Sequence, residues 1–521
     1  MTGPAHQPDE QDQRIPMYSW YVLGVLVVVY VLNFIDRQIL SILAEDIKVD
    51  LGLDDGDMGF LYGTAFGVFY ALFGIPLGRL ADNWHRVRLI TAGLTLWSAM
   101  TVLSGLARTG GALTIARIGV GMGEATASPS AYSLLSDWFP KRRRATALAI
   151  YSAGVYIGGG LSLGIGGLVV QRWNAAYPGG GPLGLVGWQA AFLAVGMPGL
   201  LMALWVATLR EPVRGSSEGL VSAAHPAPFQ AFLEDLIAII PPLTVIGAAR
   251  RGPAALFLNL GVAALIAMVA VGLGMLGEPL GQWAAVGTGV YAIFSWASGL
   301  RARDRPAYRL IIATPAFVAI VVAFGLNSFI SFSVSFWSVP YSLRVLGVEP
   351  ITAGVMIGSI GALAGFVGLT LGGFAADRLR LWHPAGRILV VLFGTVAPIL
   401  PVVVAFTTTS PGLFYSMLFV CLLTSSSALG GAAASTQDLV MPRMRGTATG
   451  IFFVGTTLLG LALGPYMVGR VSAVTGSLTT GLLSALVVTP IGLAAGLIAF
   501  KLYPKAEATR DQRARELGEA V

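Results

Sequence analysis

Charged residues are scarce in this chain. Lys and Arg number 33 and Asp and Glu 26 among 521 residues, 11% in all, where soluble domains carry about 25%. With 55% hydrophobic residues and a mean hydropathy of +0.75, that shortage excludes a soluble globular protein. The single cysteine, Cys421, excludes an internal disulfide. The four histidines, His6, His85, His225 and His383, lie outside the apolar runs with no ligand-like spacing, so neither a metal site nor another cofactor is expected. The formal charge of +7 is spread over short stretches between apolar runs, which excludes a nucleic-acid binder. Asn-X-Ser/Thr sequons are missing as well, and together with the richness in Gly and Ala this points to a bacterial chain.

Apolar sequence is what the chain has in quantity. About fourteen runs are long enough to cross a bilayer as helices. They centre near Tyr30, Tyr70, Ser98, Ala125, Ile157, Gly199, Ile266, Tyr291, Val322, Ile360, Val396, Ser425, Leu459 and Val488. The run beginning at Tyr18 is too long and wrongly flanked for a cleaved signal peptide, and is expected to stay as a span. Basic loops stay in the cytoplasm. With both termini inside, Lys48, Arg108, Arg172, Arg344 and Arg470 fall outside, Arg37 and Arg117 fall within spans, and the other basic residues face the cytoplasm. That asymmetry survives only if the runs near Ile266 and Tyr291 enter as a pair. The expected layout is a tail over 1–16, six spans over 17–210, a cytoplasmic connector over 211–253, an inserted hairpin over 254–300, six spans over 301–503 and a tail over 504–521. The connector is amphipathic over 229–249 and is expected on or near the membrane.

The halves repeat. Gly78-Arg79-Leu80-Ala81-Asp82 reappears as Gly373-Phe374-Ala375-Ala376-Asp377, and Pro140-Lys141-Arg142-Arg143 is echoed by Pro442-Arg443-Met444-Arg445. Parallel six-span repeats are a transporter design. The motif Gly78, Leu80, Asp82, Arg86, Arg88 and the run Arg117-Ile118-Gly119-Val120-Gly121-Met122-Gly123-Glu124-Ala125 resemble those of the major facilitator superfamily, although His85 stands where the family's loop carries glycine. Asn33-Phe34-Ile35-Asp36-Arg37, Ser128-Pro129-Ser130 with Asp137-Trp138-Phe139, and Arg210-Glu211-Pro212-Val213-Arg214-Gly215 resemble its Spinster group of lipid transporters. The first of these also occurs loosely in anion symporters of the superfamily. The resemblance implies two six-helix bundles around a central cavity, proton-linked transport, and sphingolipid or lysophospholipid substrates. The hairpin has no counterpart in the family's functional parts.

Charges inside spans cost about 2.5–3.5 kcal/mol each on insertion scales, so each needs a partner or a wet cavity. Asp36, Arg37, Arg117 and Glu124 are such charges. Counting helical rise, Asp36 and Arg117 differ in depth by only about 5 Å, which lets them pair, and Glu124 lies on the same face as Arg117, about 10 Å deeper. The pair is read either as a permanent structural ion pair or as a proton switch in which an anionic headgroup on Arg117 favours protonation of Asp36. Glu124 is either a second proton or substrate contact or a buried structural group. Arg37 is a candidate substrate contact that points toward the outer interface, about 100° around the helix from Asp36.

Asn327, Ser328, Phe332, Ser335 and Phe336 mix hydroxyls and rings at helical spacing, a face suited either to an amphipathic ligand or to ordinary helix packing. Tyr70, in the stripe Tyr62, Phe66, Phe69, Tyr70, Phe73, carries the same two readings. Gly78, Asp82, Arg86, Arg88, Asp377 and Arg378 are the candidate inner gate. The resemblance implies that Asp82 caps the helix beginning near Gly446, where the dipole favours a carboxylate. Gly160-Leu161-Ser162-Leu163-Gly164 spells a hydrolase pattern without the strand and helix that it needs, so no enzyme is expected. The whole reads as an all-α polytopic inner-membrane transporter, a monomer, whose partners are protons, membrane lipids and a lipid-like solute. The alternatives are a small organic anion or drug carrier, and a receptor or scaffold that does not transport.

Overall fold

The computed structural model describes residues 15–214, 227–441 and 444–518. Pro442 and Arg443 of the second basic repeat, and most of the N-terminal tail, lie outside them. Every regular element among the described residues is helical. In chain order these are α1 (Met17–Leu51), α2 (Asp55–Asn83), α3 (Arg86–Gly105), α4 (Gly110–Glu124), α5 (Ala127–Trp138), α6 (Lys141–Ala176) and α7 (Gly187–Ala207). Next come α8 (Pro228–Ile239), α9 (Leu243–Arg250), α10 (Pro253–Met275), α11 (Leu280–Arg303) and α12 (Arg305–Ile311). The remainder are α13 (Pro315–Arg344), α14 (Pro350–Arg380), α15 (Gly386–Ala405), α16 (Pro411–Asp438), α17 (Arg445–Thr475), α18 (Leu478–Ala508) and α19 (Arg510–Arg515). Twelve helices among the described residues are long and apolar enough to cross a bilayer. The twelve do not include α11 or the consecutive pair α4 and α5, which carries Arg117 and Glu124.

Local chemistry sets the boundaries. Gly52, at φ +65, ends α1 in the left-handed region that glycine enters without penalty. Asp54 and Asp57 form a reciprocal capping box at the start of α2. Proline occupies the first turn of α10, α13, α14 and α16, where its missing N–H costs nothing. Two π-helical turns, Phe60–Thr64 in α2 and Thr457–Ala462 in α17, pack against each other, and Thr64 Oγ1 donates to the Ala462 carbonyl at 2.6 Å. Such bulges recur at functional positions.

Helices α1 to α7 pack mainly among themselves, as do α13 to α18. The halves carry matching joints: Arg86 pairs with Asp137, and Arg387 pairs with Asp438, each across 51 residues of sequence. The two halves meet along α2–α17 and α6–α14. At the second seam a Cβ on Gly358 would lie 2.4 Å from the Gly160 carbonyl oxygen, so the backbones approach as closely as the absence of side chains permits. Gly358→Val should therefore wedge the seam and cost about 1–3 kcal/mol, seen as a lowered Tm of the solubilised protein. Gly361→Val should leave Tm unchanged, because its Cβ would meet nothing within 4 Å.

The pair α10–α11 stands beside the first seam. Gly289 of α11 faces Leu458 of α17 and Val68 of α2, while the outer helix α10 is largely uncovered, with Phe257 71% and Met268 69% exposed. Glu278, in the turn between α10 and α11, accepts from Tyr466 Oη at 2.9 Å and from Arg470 Nε at 3.2 Å. Burial pushes Glu278 up, but these hydrogen bonds outweigh it and hold its carboxyl below the usual carboxylate range. At the other end, Asp235 of α8 takes Arg79 of α2 at 2.8 Å and Arg303 of α11 at 3.8 Å. The inserted helices are thus tied to both halves.

Candidate substrate and proton site

Four charged side chains gather where α1, α2 and α4 meet. Helix α1 supplies Asp36 and Arg37, α4 supplies Arg117 and Glu124, and α2 supplies the rings between them. Arg117 is 0%, Glu124 1% and Asp36 2% exposed, while the Arg37 side chain keeps 12%. Arg37 is thus the most exposed of the four.

The pairing differs from the sequence expectation. Arg37 Nη2 donates to Glu124 Oε2 at 2.8 Å, and this is the ion pair. Arg117 Nη1 reaches the main-chain carbonyl of Asp36 at 3.3 Å, so the expected Asp36–Arg117 carboxylate bridge is absent among the described residues. Arg37 does not point to the outer interface. Its guanidinium carbon lies 4.8 Å from the ring centroid of Phe34, 4.6 Å from Phe66 and 5.0 Å from Tyr70. Arg117 approaches the same Phe66 ring at 5.5 Å. The physical reason is azimuth: equal depth brings Asp36 opposite Arg117, but the extra 100° or so that separates Arg37 from Asp36 turns Arg37 toward α2 and Glu124. Cation–π contact with three rings supports the cation where few oxygens are available.

Much of the cluster's hydrogen-bonding capacity is unused. Among the described residues, Asp36 Oδ1, Glu124 Oε1, Arg37 Nε, Arg117 Nε and Nη2, and Asn33 Nδ2 are buried without a hydrogen-bond partner. Buried polar atoms normally have partners, so a concentration of orphans marks a place built to receive something else. Below Arg37 an aromatic wall continues: Tyr30 stacks on Tyr151 with centroids 4.3 Å apart, Phe34 meets Tyr30 edge-on at 5.3 Å, and Tyr132 meets Tyr151 at 5.5 Å. Tyr70 lies beside Arg37, stacked on Phe66 at 5.5 Å. The three tyrosines 30, 132 and 151 were not candidates in the sequence because they come from separate helices with no shared spacing.

The α13 candidates divide. Asn327 Nδ2 donates to the Ser425 carbonyl at 3.1 Å, and Ser328 packs on Gly460, so both serve contacts within the second half. Phe336 is fully buried and stacks on Tyr62 at 4.3 Å, its carbonyl accepting from Ser41, while Ser335 Oγ accepts from Gln38 Nε2 at 3.3 Å. These two belong to a seal between the halves rather than to an open surface. Phe332 is half-buried between these groups.

Around that seal sits a network no single motif announced. Asp55 accepts from Lys48 at 2.5 Å, from Arg344 at 2.8 Å through both oxygens, and from Ser472 at 2.6 Å, and Arg344 also pairs with Glu45 at 2.5 Å. Among the described residues, direct ion pairs between the halves all lie at this end, opposite the start of α1. The Glu45–Lys48 spacing on one helix face was its one legible trace.

The expected gate at the other end is not formed. Asp82 is exposed and makes no hydrogen bond or ion pair among the described residues, and the space beside Gly446 and Gly450 is empty. With the halves converging at the far end, the carboxylate does not reach α17. Arg86 is instead buried within the first half, bonded to Glu211 at 2.6 Å and to Asp137. Arg88 and Arg378 are exposed, and Gly78 lies 3.9 Å from Pro129 of the same half, measured from where its Cβ would stand. Asp377 meets Arg387 at 3.0 Å on the surface. Glu211 and Asp137 were visible in sequence as parts of motifs, but their shared partner was not.

The family model of the Major Facilitator Superfamily matches residues 26–238 and 229–465. An MFS-type efflux pump of Mycolicibacterium smegmatis is 27% identical over 464 residues, 89% of this chain and 87% of that one. A probable galactarate/D-glucarate transporter of Bacillus subtilis is 30% identical over 200 residues, 37% of this chain and 41% of its own. Protein spinster of Drosophila melanogaster is 21% identical over 463 residues, 87% of this chain and 62% of its own. Among solved structures, a bacterial homolog to the human lysosomal transporter Spinster, inward-facing and unoccupied, superposes with TM-score 0.67 at 25% identity, covering 95% of this chain and 98% of that one.

Proposed function

The chain belongs to the Major Facilitator Superfamily and is a membrane transporter rather than an enzyme, and on that premise we propose that it moves an amphipathic, anionic lipid-like solute by proton-linked alternating access. The observation that carries this reading is the unused donor capacity of Arg117 and Arg37 directly above a wall of aromatic rings. An anionic headgroup would satisfy the guanidinium donors, and an acyl chain would lie along Tyr30, Phe34 and Tyr132, backed by the buried Tyr151. We assign the proton to Asp36, which forms no direct ion pair among the described residues, and read Glu124 as the group that holds Arg37 until substrate competes for it. In this reading the hairpin adds two spans to a twelve-span core, giving fourteen, in the inner membrane of a bacterium. Both termini are cytoplasmic, and the conformation is closed to the outside. Ser335, Phe336 and Tyr62 then serve as the outer seal, Phe332 as part of the cavity, and the Asp82 latch forms only in the opposite state.

A second reading, export or uptake of a small organic anion or drug, is favoured by the higher identity to the efflux pump and to the sugar-acid transporter than to spinster. Proteoliposomes decide between them. Preloaded protein should exchange labelled lysophospholipid or sphingoid phosphate and ignore galactarate; the reverse pattern replaces the lipid reading with the second. Uptake by wild type should depend on pH, and Asp36→Asn should transport without that dependence. A wild-type pH profile in Asp36→Asn removes the proton from Asp36.

A further inference from the structure

Away from the transport site, the foot of the inserted hairpin holds a pair of guanidinium groups of which one, Arg251, forms no ion pair among the described residues. Arg251, in the turn between α9 and α10, and Arg303, at the end of α11, converge over Gly299: the position of a Cβ on that glycine lies 3.0 Å from Arg251 Nη1 and 3.8 Å from Arg303 Nη2. Arg251 has no ion pair among the described residues, and its Nε is buried without a partner. Burial first, then the like charge of Arg303, push the Arg251 guanidinium below its ordinary value. Among the described residues the ion pair of Arg303 is to Asp235 at 3.8 Å, and Asp235 is committed to Arg79 at 2.8 Å. Arg250 and Arg301 add exposed positive charge alongside.

The surroundings are those of a membrane surface. Connector helices α8 and α9 present Phe229, Leu233 and Ile246 at 55%, 51% and 46% exposure, and α10 rises from the same place with its apolar side chains uncovered. Exposed apolar residues beside a cluster of arginines are how an interfacial helix engages anionic lipid. We propose that Arg251 and Arg303 bind the phosphate of an anionic phospholipid, whose acyl chains lie along α10. The bound lipid neutralises the arginine pair and fastens the connector and hairpin to the seam between the halves. The proposal concerns a resident lipid at the hairpin's foot, separate from any solute at Arg37 and Arg117.

Phosphatidylglycerol is the probe. Purified protein in phosphatidylcholine nanodiscs, with and without phosphatidylglycerol, should retain phosphatidylglycerol on transfer to native mass spectrometry and show a raised Tm. With each arginine near a membrane surface contributing as it does to anionic lipid binding, Arg251→Gln/Arg303→Gln should weaken that retention by about thirtyfold. Arg172→Gln, on the opposite face, should leave it unchanged. A photoactivatable phosphatidylglycerol on the wild-type protein should label peptides of α9 to α11, which tests the site without any variant. Equal retention in the double variant, equal loss in Arg172→Gln, or label placed elsewhere overturns the proposal. None of these readouts depends on which solute is transported.

Discussion

Glu124→Ala should reduce transport to background and lower stability by about 3–5 kcal/mol, because it leaves the Arg37 guanidinium buried and unpaired. Among the described residues Arg37 has one carboxylate within ion-pair distance, Glu124 at 2.8 Å, and the faces of Phe34, Phe66 and Tyr70 around it. Removing both members, as Arg37→Ala/Glu124→Ala, should return most of the lost stability without returning transport, since no charge is then stranded but the substrate contact is gone. The coupling in this cycle should fall at the upper end of the roughly 0.5–3 kcal/mol found for residues in one network. The Asp36→Asn/Arg117→Ala cycle should give the smaller coupling, because Arg117 bonds the main-chain carbonyl of residue 36, which the substitution leaves in place. Chemical unfolding in detergent together with liposome flux supplies both readouts. A larger coupling for Asp36 and Arg117 would restore the pairing that depth alone suggested.

Asp55→Asn should open the sealed end. Asp55 is 5% exposed and holds Lys48 from its own half together with Arg344 and Ser472 from the other. An amide carries no charge and one acceptor oxygen, so it satisfies neither cation fully. If breaking that network costs the closed state about 3 kcal/mol, in the range for one severed buried pair, the closed-to-open ratio falls by about a hundredfold. Spin labels at Val49 and Val345, which are 87% and 48% exposed on the two halves at this end, report the separation. The expected result is a new population at longer distance in the variant. An unchanged distance distribution would make Asp55 an ornament of a seal held by the glycine contacts and by the Tyr62–Phe336 stack.

The Arg86–Asp137 joint illustrates what could be read and what could not. Its repetition as Arg387–Asp438 at the same sequence separation is a fact of the sequence, and duplication of a six-helix unit follows from such landmarks. The third partner, Glu211, comes from a different motif, and nothing in either string says that they share an arginine. The same holds for Tyr30, Tyr132 and Tyr151, which only packing brings into one wall.

The sequence by itself determined the solvent, the helical class, the internal repeat, the family and the identities of the four charges that cluster in the first half. Each is set by composition, by run length against bilayer thickness, or by residue type at a fixed depth, and these are one-dimensional quantities. Only the tertiary structure decided that Arg37 takes Glu124, that Phe336 stacks on Tyr62 across the two halves, that Asp82 forms no ion pair among the described residues, and where the hairpin docks. Those outcomes depend on the rotation of each helix about its own axis and on which end of the two halves is closed. A few tens of degrees of rotation exchange partners at equal depth, and closing one end parts the other, so neither could be read from a string of residues.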